Sequence, residues 1–342
     1  MSPCLGSWIL FGTRFDLTAA PENVTVGLDL LLQPFAQSQQ GADAPVRVAS
    51  VRVTSVPVKG HEKGEGGEAG QLEATGSGGT AEHLPLPSLD PRDVELALVR
   101  YAMELAPDIL VLHSAALEKD GRSVLIVGEA GAGKTTLSLL LRTEGWTLLS
   151  DDLAPFHLPT SRLLPCPRAL HLDGQYPPEA MIGLPRRPEA FPREYAPFPF
   201  PFDEGEFLGA DRMPPTALLH LDRGIPRGAT PEESRADDPA ADRGRIESRA
   251  LSPPGAVPTA SVPAASIPSA EVVQLLHRSV IRTRTMDPNR ALPFLIELGR
   301  TLQGFRIDGA TPRAALNQAL RTLDHLKEEE RSLRPRRDST LY

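Results

Sequence analysis

Residues 123–141 read SVLIVGEAGAGKTTLSLLL. The run SVLIVG is continuously apolar, the pattern of a strand buried on both faces of a central α/β sheet. KTTLSLLL continues as an amphipathic helix. Between strand and helix stands GxxxxGK[ST], from Gly128 through Gly133, Lys134 and Thr135, in the strand-loop-helix setting that this motif requires. Glycines at 128, 131 and 133 let the backbone fold tightly and turn successive N–H groups inward, toward phosphate oxygens. The helix beginning near Lys134 adds its positive N-terminal end. Lys134 is placed to reach β- and γ-phosphates, and the Thr135 hydroxyl to ligate Mg²⁺. The expected nucleotide-binding set is Gly128, Glu129, Ala130, Gly131, Ala132, Gly133, Lys134, Thr135 and Thr136, with ATP and Mg²⁺ as ligands. The chain holds only five Lys against 31 Arg, so a lysine inside the motif carries weight.

Working outward, DILVLHSAAL (108–117) is another apolar run, joined to SVLIVG through the turn Lys119-Asp120-Gly121. WTLLS (146–150) is a short strand that follows the motif's helix and ends in Asp151-Asp152. At the carboxyl end of a strand both carboxylates can turn into the crevice where α/β sheets bind ligands. One would ligate Mg²⁺ and the other would act as a base toward a hydroxyl; capping of the following turn is the plainer alternative. His113, alone in LVLHSAAL, reads by itself as a core histidine. ALLHLDRG (217–224) is a further core strand.

Residues 1–95 read as an N-terminal α+β region. Strands are expected at 6–18 and 46–56, with a helix opened by Pro21-Glu22-Asn23. The segment 60–80 holds eight glycines and no aromatic, and reads as a flexible loop. Asp90-Pro91 caps a helix striped by Val94, Leu98, Tyr101 and Leu105. The domain that carries the glycine-loop motif is expected over 96–330. The stretch 176–207 concentrates seven of the 17 aromatics among prolines, and is assigned to acceptor recognition or to cover over the core. Residues 225–269, with eight Pro, nine Ala and no aromatic, read as a disordered insertion. A helix capped by Asp287-Pro288, a strand at FRID and a helix from Thr311-Pro312 to about Leu326 close the domain, and 331–342 form a disordered tail.

A net charge of −8 and a pI near 5.6 argue against nucleic-acid or anionic-membrane partners. Cys4 and Cys166 are the only cysteines, which disfavours zinc and disulfide frameworks. No apolar run is long enough to span a membrane as a helix, and the opening MSPCLGSWILF lacks a basic signal-peptide region. A cytoplasmic protein without membrane contact is expected, and a homo-oligomer is compatible with the sequence.

The stretch LHSAALEKDGRSVLIVGEAGAGKTTLSLLLRTEGWTLLSDDLAPF (112–156) resembles the catalytic core of the HPr kinase/phosphorylase-like serine kinases, which share a fold with phosphoenolpyruvate carboxykinase. The resemblance covers positions 110–157. In that family a strand histidine stands ahead of the loop lysine at the same spacing as His113 and Lys134, and an Asp-Asp pair ends the next strand. It implies a P-loop kinase core of the phosphoenolpyruvate carboxykinase/HPr kinase type. Asp152 would be the proton acceptor, with Lys134 and His113 acting at the phosphate, Thr135 binding metal and Asp151 supporting metal or nucleotide. Where the family carries a Glu-Ile-Arg-Gly motif with a metal-binding glutamate, this chain reads PRALHLDGQYPP (167–178). There Asp173 could substitute as ligand, and Arg168 or His171 could meet phosphate.

Two functions follow. The first is an ATP-dependent kinase acting on a serine-type hydroxyl of a protein, peptide or small molecule. The second is a regulatory module that binds ATP with little turnover. A motor or transporter ATPase is disfavoured, since no LSGGQ-like signature and no glutamate after the aspartates is present.

Overall fold

The computed structural model describes residues 4–36, 47–56, 69–76, 79–170, 172, 176–184, 214–222, 264–308 and 311–333. The chain begins with a hairpin, β1 (Gly6–Leu10) and β2 (Thr13–Ala19), whose alternate residues Trp8, Leu10, Phe15 and Leu17 turn inward. Helix α1 (Glu22–Ala36) crosses over to β3 (Arg47–Val56), which lies parallel to β2. Strands β4 (Ala69–Gly76) and β5 (Ala81–Leu86) complete a five-stranded sheet in the order β1-β2-β3-β4-β5.

Strand β4 corrects the expected flexible loop at 60–80. Gly70, Leu72 and Ala74 alternate into the core while β3 and β5 satisfy both edges, so local glycine content is overridden by pairing partners. Residues 57–68 and 77–78 of that segment lie outside the described residues.

Helix α2 (Pro91–Glu104) is capped as expected: Asp90 Oδ1 accepts the Arg92 N–H at 2.9 Å, with Pro91 in the first turn. Its Val94, Leu98, Val99, Ala102 and Met103 pack into the N-terminal core, and Tyr101 meets Phe15 with ring centroids 6.1 Å apart. The boundary expected at 95/96 therefore falls inside α2, which the N-terminal core claims throughout.

Beyond α2 come β6 (Ile109–His113), β7 (Ala115–Lys119), β8 (Arg122–Gly128), α3 (Lys134–Thr143), β9 (Thr147–Ser150), β10 (Leu153–His157) and β11 (Arg162–Leu163). A 3-10 turn at Pro178–Met181 precedes β12 (Ala217–Asp222) and β13 (Ala265–Ile267). Then follow α4 (Ser269–Ser279), β14 (Val280–Ile281), α5 (Pro288–Thr301), β15 (Gln303–Asp308) and α6 (Pro312–Leu333). Two further sheets result. One is antiparallel, in the order β11-β10-β6-β14; the other is mixed, in the order β13-β15-β12-β8-β7-β9, with β15, β12 and β8 parallel. The class is α/β with mixed sheets.

DILVLHSAAL does not form one strand. The chain breaks at Ser114, so β6 and β7 belong to different sheets. The break is held by the Ser114 N–H, which donates to Leu112 O at 2.9 Å and Asp152 O at 3.1 Å. WTLLSDDLAPF breaks likewise, with β9 before Asp151-Asp152 and β10 after. Both segments thus change sheets at the same place. In β6, Leu110 and Leu112 face the larger C-terminal core while Val111 faces the N-terminal one, so the antiparallel sheet is shared between two cores.

Of the disordered insertion expected at 225–269, the last residues are ordered. Ala265–Ile267 pair with β15, and α4 starts at Ser269. Of the tail expected at 331–342, residues 331–333 belong to α6. Residues 225–263, 185–207 and 334–342 lie outside the described residues. Among the described residues no helix is long and apolar enough to cross a membrane.

Candidate functional site

Gly128 ends β8 tightly against β12; a Cβ there would stand 3.0 Å from Leu221 O. Gly131 and Gly133 have φ of 72° and 97°, in the left-handed region that favours glycine. The Ala132 N–H donates to Glu129 O at 3.1 Å, and Gly133 leads directly into α3, whose first turn holds Lys134, Thr135 and Thr136.

Lys134 is buried. Its Nζ donates to Gly128 O at 3.0 Å and Glu129 O at 3.3 Å, and lies 3.1 Å from His113 Nε2. Burial lowers its pKa, against the opposing effect of the negative charges on Asp152 and Asp151. Because an ammonium only donates, His113 Nε2 accepts; Nδ1 then carries the hydrogen and donates to Asp152 Oδ1 at 2.9 Å. Lys134, His113 and Asp152 therefore form one polar chain, in the crease where both segments change sheets.

A second branch starts at Thr135. Its hydroxyl donates to Asp151 Oδ2 at 3.1 Å, and Ser138 Oγ lies 3.4 Å from Asp151 Oδ1. Burial drives the Asp151 carboxyl up to about 6. Such a group is suited to a cation, whose charge offsets the desolvation that raises the carboxyl. Thr135 and Asp151 thus fit a divalent ion, through an oxygen donor set of the kind Mg²⁺ prefers. Among the described residues there is no cluster of three or more His, Cys, Asp or Glu that could hold a metal.

Asp152 behaves oppositely. Burial acts to raise its pKa, yet the hydrogen bond from His113 and the charges of Arg168 and Lys134 outweigh it, and the carboxyl sits below its usual range. Arg168 Nη1 stands 3.9 Å from Asp152 Oδ2. The same guanidinium is clamped by Glu95, Nε to Oε1 at 2.7 Å and Nη2 to Oε2 at 2.8 Å. Glu95 and its clamp are what sequence reasoning missed. The available signal was an acidic residue set three positions before Leu98 on the apolar stripe of α2.

A cleft of about 530 Å³ opens on this side, walled by Arg92, Asp93 and Leu96 of α2 and by Cys166 and Arg168, with Thr135, Asp151 and Asp152 at its floor. Of the expected residues, Thr135, Asp151 and Asp152 line this cleft, and Lys134 and His113 join them through the hydrogen-bond chain to Asp152. Arg168 joins Asp152 rather than the glycine loop. His171 and Asp173 lie outside the described residues. No protein-family model matches the chain, and no curated protein is significantly similar to it.

Proposed function

We propose that the chain is an ATP-dependent kinase with a P-loop core of the HPr kinase/phosphoenolpyruvate carboxykinase type, transferring the γ-phosphoryl group to a serine-type hydroxyl. The observation that carries this reading is the joining of Lys134, at the end of the glycine loop, to Asp152 through His113, with the Thr135–Asp151 pair alongside. ATP binding alone gives a second carboxylate no role; transfer to a hydroxyl gives it one, as acceptor of the hydroxyl proton.

In this reading the backbone N–H groups of Gly128–Gly133 and the Lys134 ammonium bind the β- and γ-phosphates. Thr135 and Asp151 would hold Mg²⁺, which when bound supplies positive charge at the phosphates. The acceptor enters through the cleft beside α2. Its hydroxyl oxygen bonds to the γ-phosphorus, the bond from phosphorus to the β–γ bridging oxygen breaks, and the hydroxyl proton passes to Asp152. The lowered pKa keeps Asp152 ionised at neutral pH. A weak base suffices, because phosphoryl transfer depends mainly on positioning and charge. His113 orients Asp152 through Nδ1 and receives Lys134 at Nε2.

A second reading, an ATP-binding regulatory module with little turnover, is favoured by one observation: both Asp152 oxygens already face positive or donating groups, His113 and Arg168. Measuring Mg-ATP consumption with and without hydroxyl-bearing acceptors separates the two. Acceptor-dependent ADP release with a stable phosphate ester supports the kinase; ATP binding without either supports the module.

A further inference from the structure

Glu95 lies outside the chemistry just described, yet it is the most deeply buried acidic side chain beside the site. It is 1% exposed, and its partner Arg168 is 11% exposed. Two of the three guanidinium nitrogens of Arg168 are committed to Glu95 in a bidentate pair. The third, Nη1, is 3.9 Å from Asp152 Oδ2, near enough to attract and too far to hydrogen-bond. A guanidinium does not lose its proton, so without Glu95 its charge must find another anion, and Asp152 is within reach.

We propose that Glu95 is a positioning residue that holds Arg168 off Asp152, leaving that carboxylate bonded to His113 and open to the cleft. The inference rests on the reading of Asp152 as proton acceptor. Two consequences follow from the geometry. Arg168 strengthens the ionised state of Asp152 at a distance without occupying its lone pairs. And because α2 belongs to the N-terminal core, that core contributes to the charge balance of a site whose glycine loop and α3 pack on the C-terminal one. The groups facing Arg168 and the carboxylates are His113 from β6, Lys134 and Thr135 from α3, and Glu95 from α2; a displaced guanidinium has Asp152, and then Asp151, as its acceptors.

The test uses the full chain and Mn²⁺ as a spectroscopic probe of the Thr135–Asp151 position, followed by electron paramagnetic resonance without nucleotide. In Glu95→Gln the freed guanidinium moves against the aspartates, and Mn²⁺ affinity should fall roughly tenfold as the Arg168 charge, no longer balanced by Glu95, comes about 1 Å nearer. Removing both charges, in Glu95→Gln/Arg168→Met, should restore affinity to at least the wild-type level. A merely structural role predicts a lowered melting temperature in Glu95→Gln with unchanged Mn²⁺ affinity, and that outcome overturns the proposal. If Glu95→Gln does not fold, the double variant decides: folded with wild-type or tighter Mn²⁺ binding supports the proposal, folded with weak binding sinks it. With ATP at saturating Mg²⁺, Glu95→Gln should lower kcat at least tenfold, with recovery toward the wild-type rate in the double variant. A wild-type chain that never turns over ATP, with the Mn²⁺ pattern as expected, overturns the kinase reading and leaves Glu95's hold on Arg168 standing.

Discussion

Lys134 and His113, far apart in sequence, meet at 3.1 Å across the crease between two sheets, Nζ against Nε2. The contact joins the glycine loop to the carboxylate pair. It also places a lysine with a lowered pKa within reach of two backbone carbonyls, Gly128 O and Glu129 O, where a phosphate group can compete for it.

Lys134→Ala should weaken Mg-ATP binding by roughly 2–4 kcal/mol, the scale of a desolvated charge-assisted contact. Isothermal calorimetry checks this, with circular dichroism to show the fold intact. Equal affinity in wild type and variant would remove the loop from nucleotide binding altogether.

Asp152→Asn keeps the side-chain shape and an acceptor for His113 but removes the base. Acceptor phosphorylation should drop by about 10²–10⁴ while ATP affinity persists. A variant that transfers phosphate at the wild-type rate contradicts the role given to Asp152.

Asp151 predicts a pH dependence. Its carboxyl is raised from 3.8 to about 6 in the folded chain, so folding favours the protonated form. The stability this contributes is fully present below the unfolded pKa and is lost as pH rises through the folded one, by an amount on the order of 3 kcal/mol. Asp151→Asn, which cannot ionise, should gain stability relative to wild type as pH rises from 4.5 to 7, read as a shift in urea midpoint. Added Mg²⁺ should narrow that gap at pH 7 in the wild type alone. A pH-independent difference between the two chains would contradict the burial of this carboxyl.

The two cysteines should part company. Cys4 is exposed, whereas burial pushes the Cys166 thiol up to about 12. A thiol reagent at pH 8 should therefore modify Cys4 in the native chain and Cys166 only on unfolding. Equal labelling rates in the folded protein would show that the wall of the cleft is open.

Gly299→Ala tests the C-terminal packing. A Cβ there would stand 2.4 Å from Val273 Cγ2 and 3.3 Å from Val273 Cα, so α4 must shift away from α5. A loss of about 1–3 kcal/mol is expected, measured by thermal unfolding. An unchanged melting temperature would mean that the two helices are not in close contact.

The glycine loop, its strand and helix, and the Asp90 and Asp287 caps were all legible in the linear chain, because each depends on residues within a few positions of one another. Composition, however, misled at 69–76: glycine content signals freedom, but the alternation of Gly70, Leu72 and Ala74 becomes a strand once β3 and β5 flank it. His113 shows the same limit. A histidine in an apolar run reads locally as core, and only the break at Ser114, fixed by a hydrogen bond to Asp152 O, turns its ring toward Lys134.

What local residue order could specify was the set of chemical groups: a lysine and a hydroxyl after a glycine loop, and a pair of carboxylates after a strand. What it could not specify was how those groups are paired and charged. Asp151 and Asp152 are neighbours with the same side chain, yet burial pushes one carboxyl up while His113 and Arg168 hold the other down. Arg168 in turn takes its position from Glu95, distant in sequence and on a helix of the N-terminal core. Desolvation and Coulomb energies depend on distances through space, which only the packed sheets and helices establish.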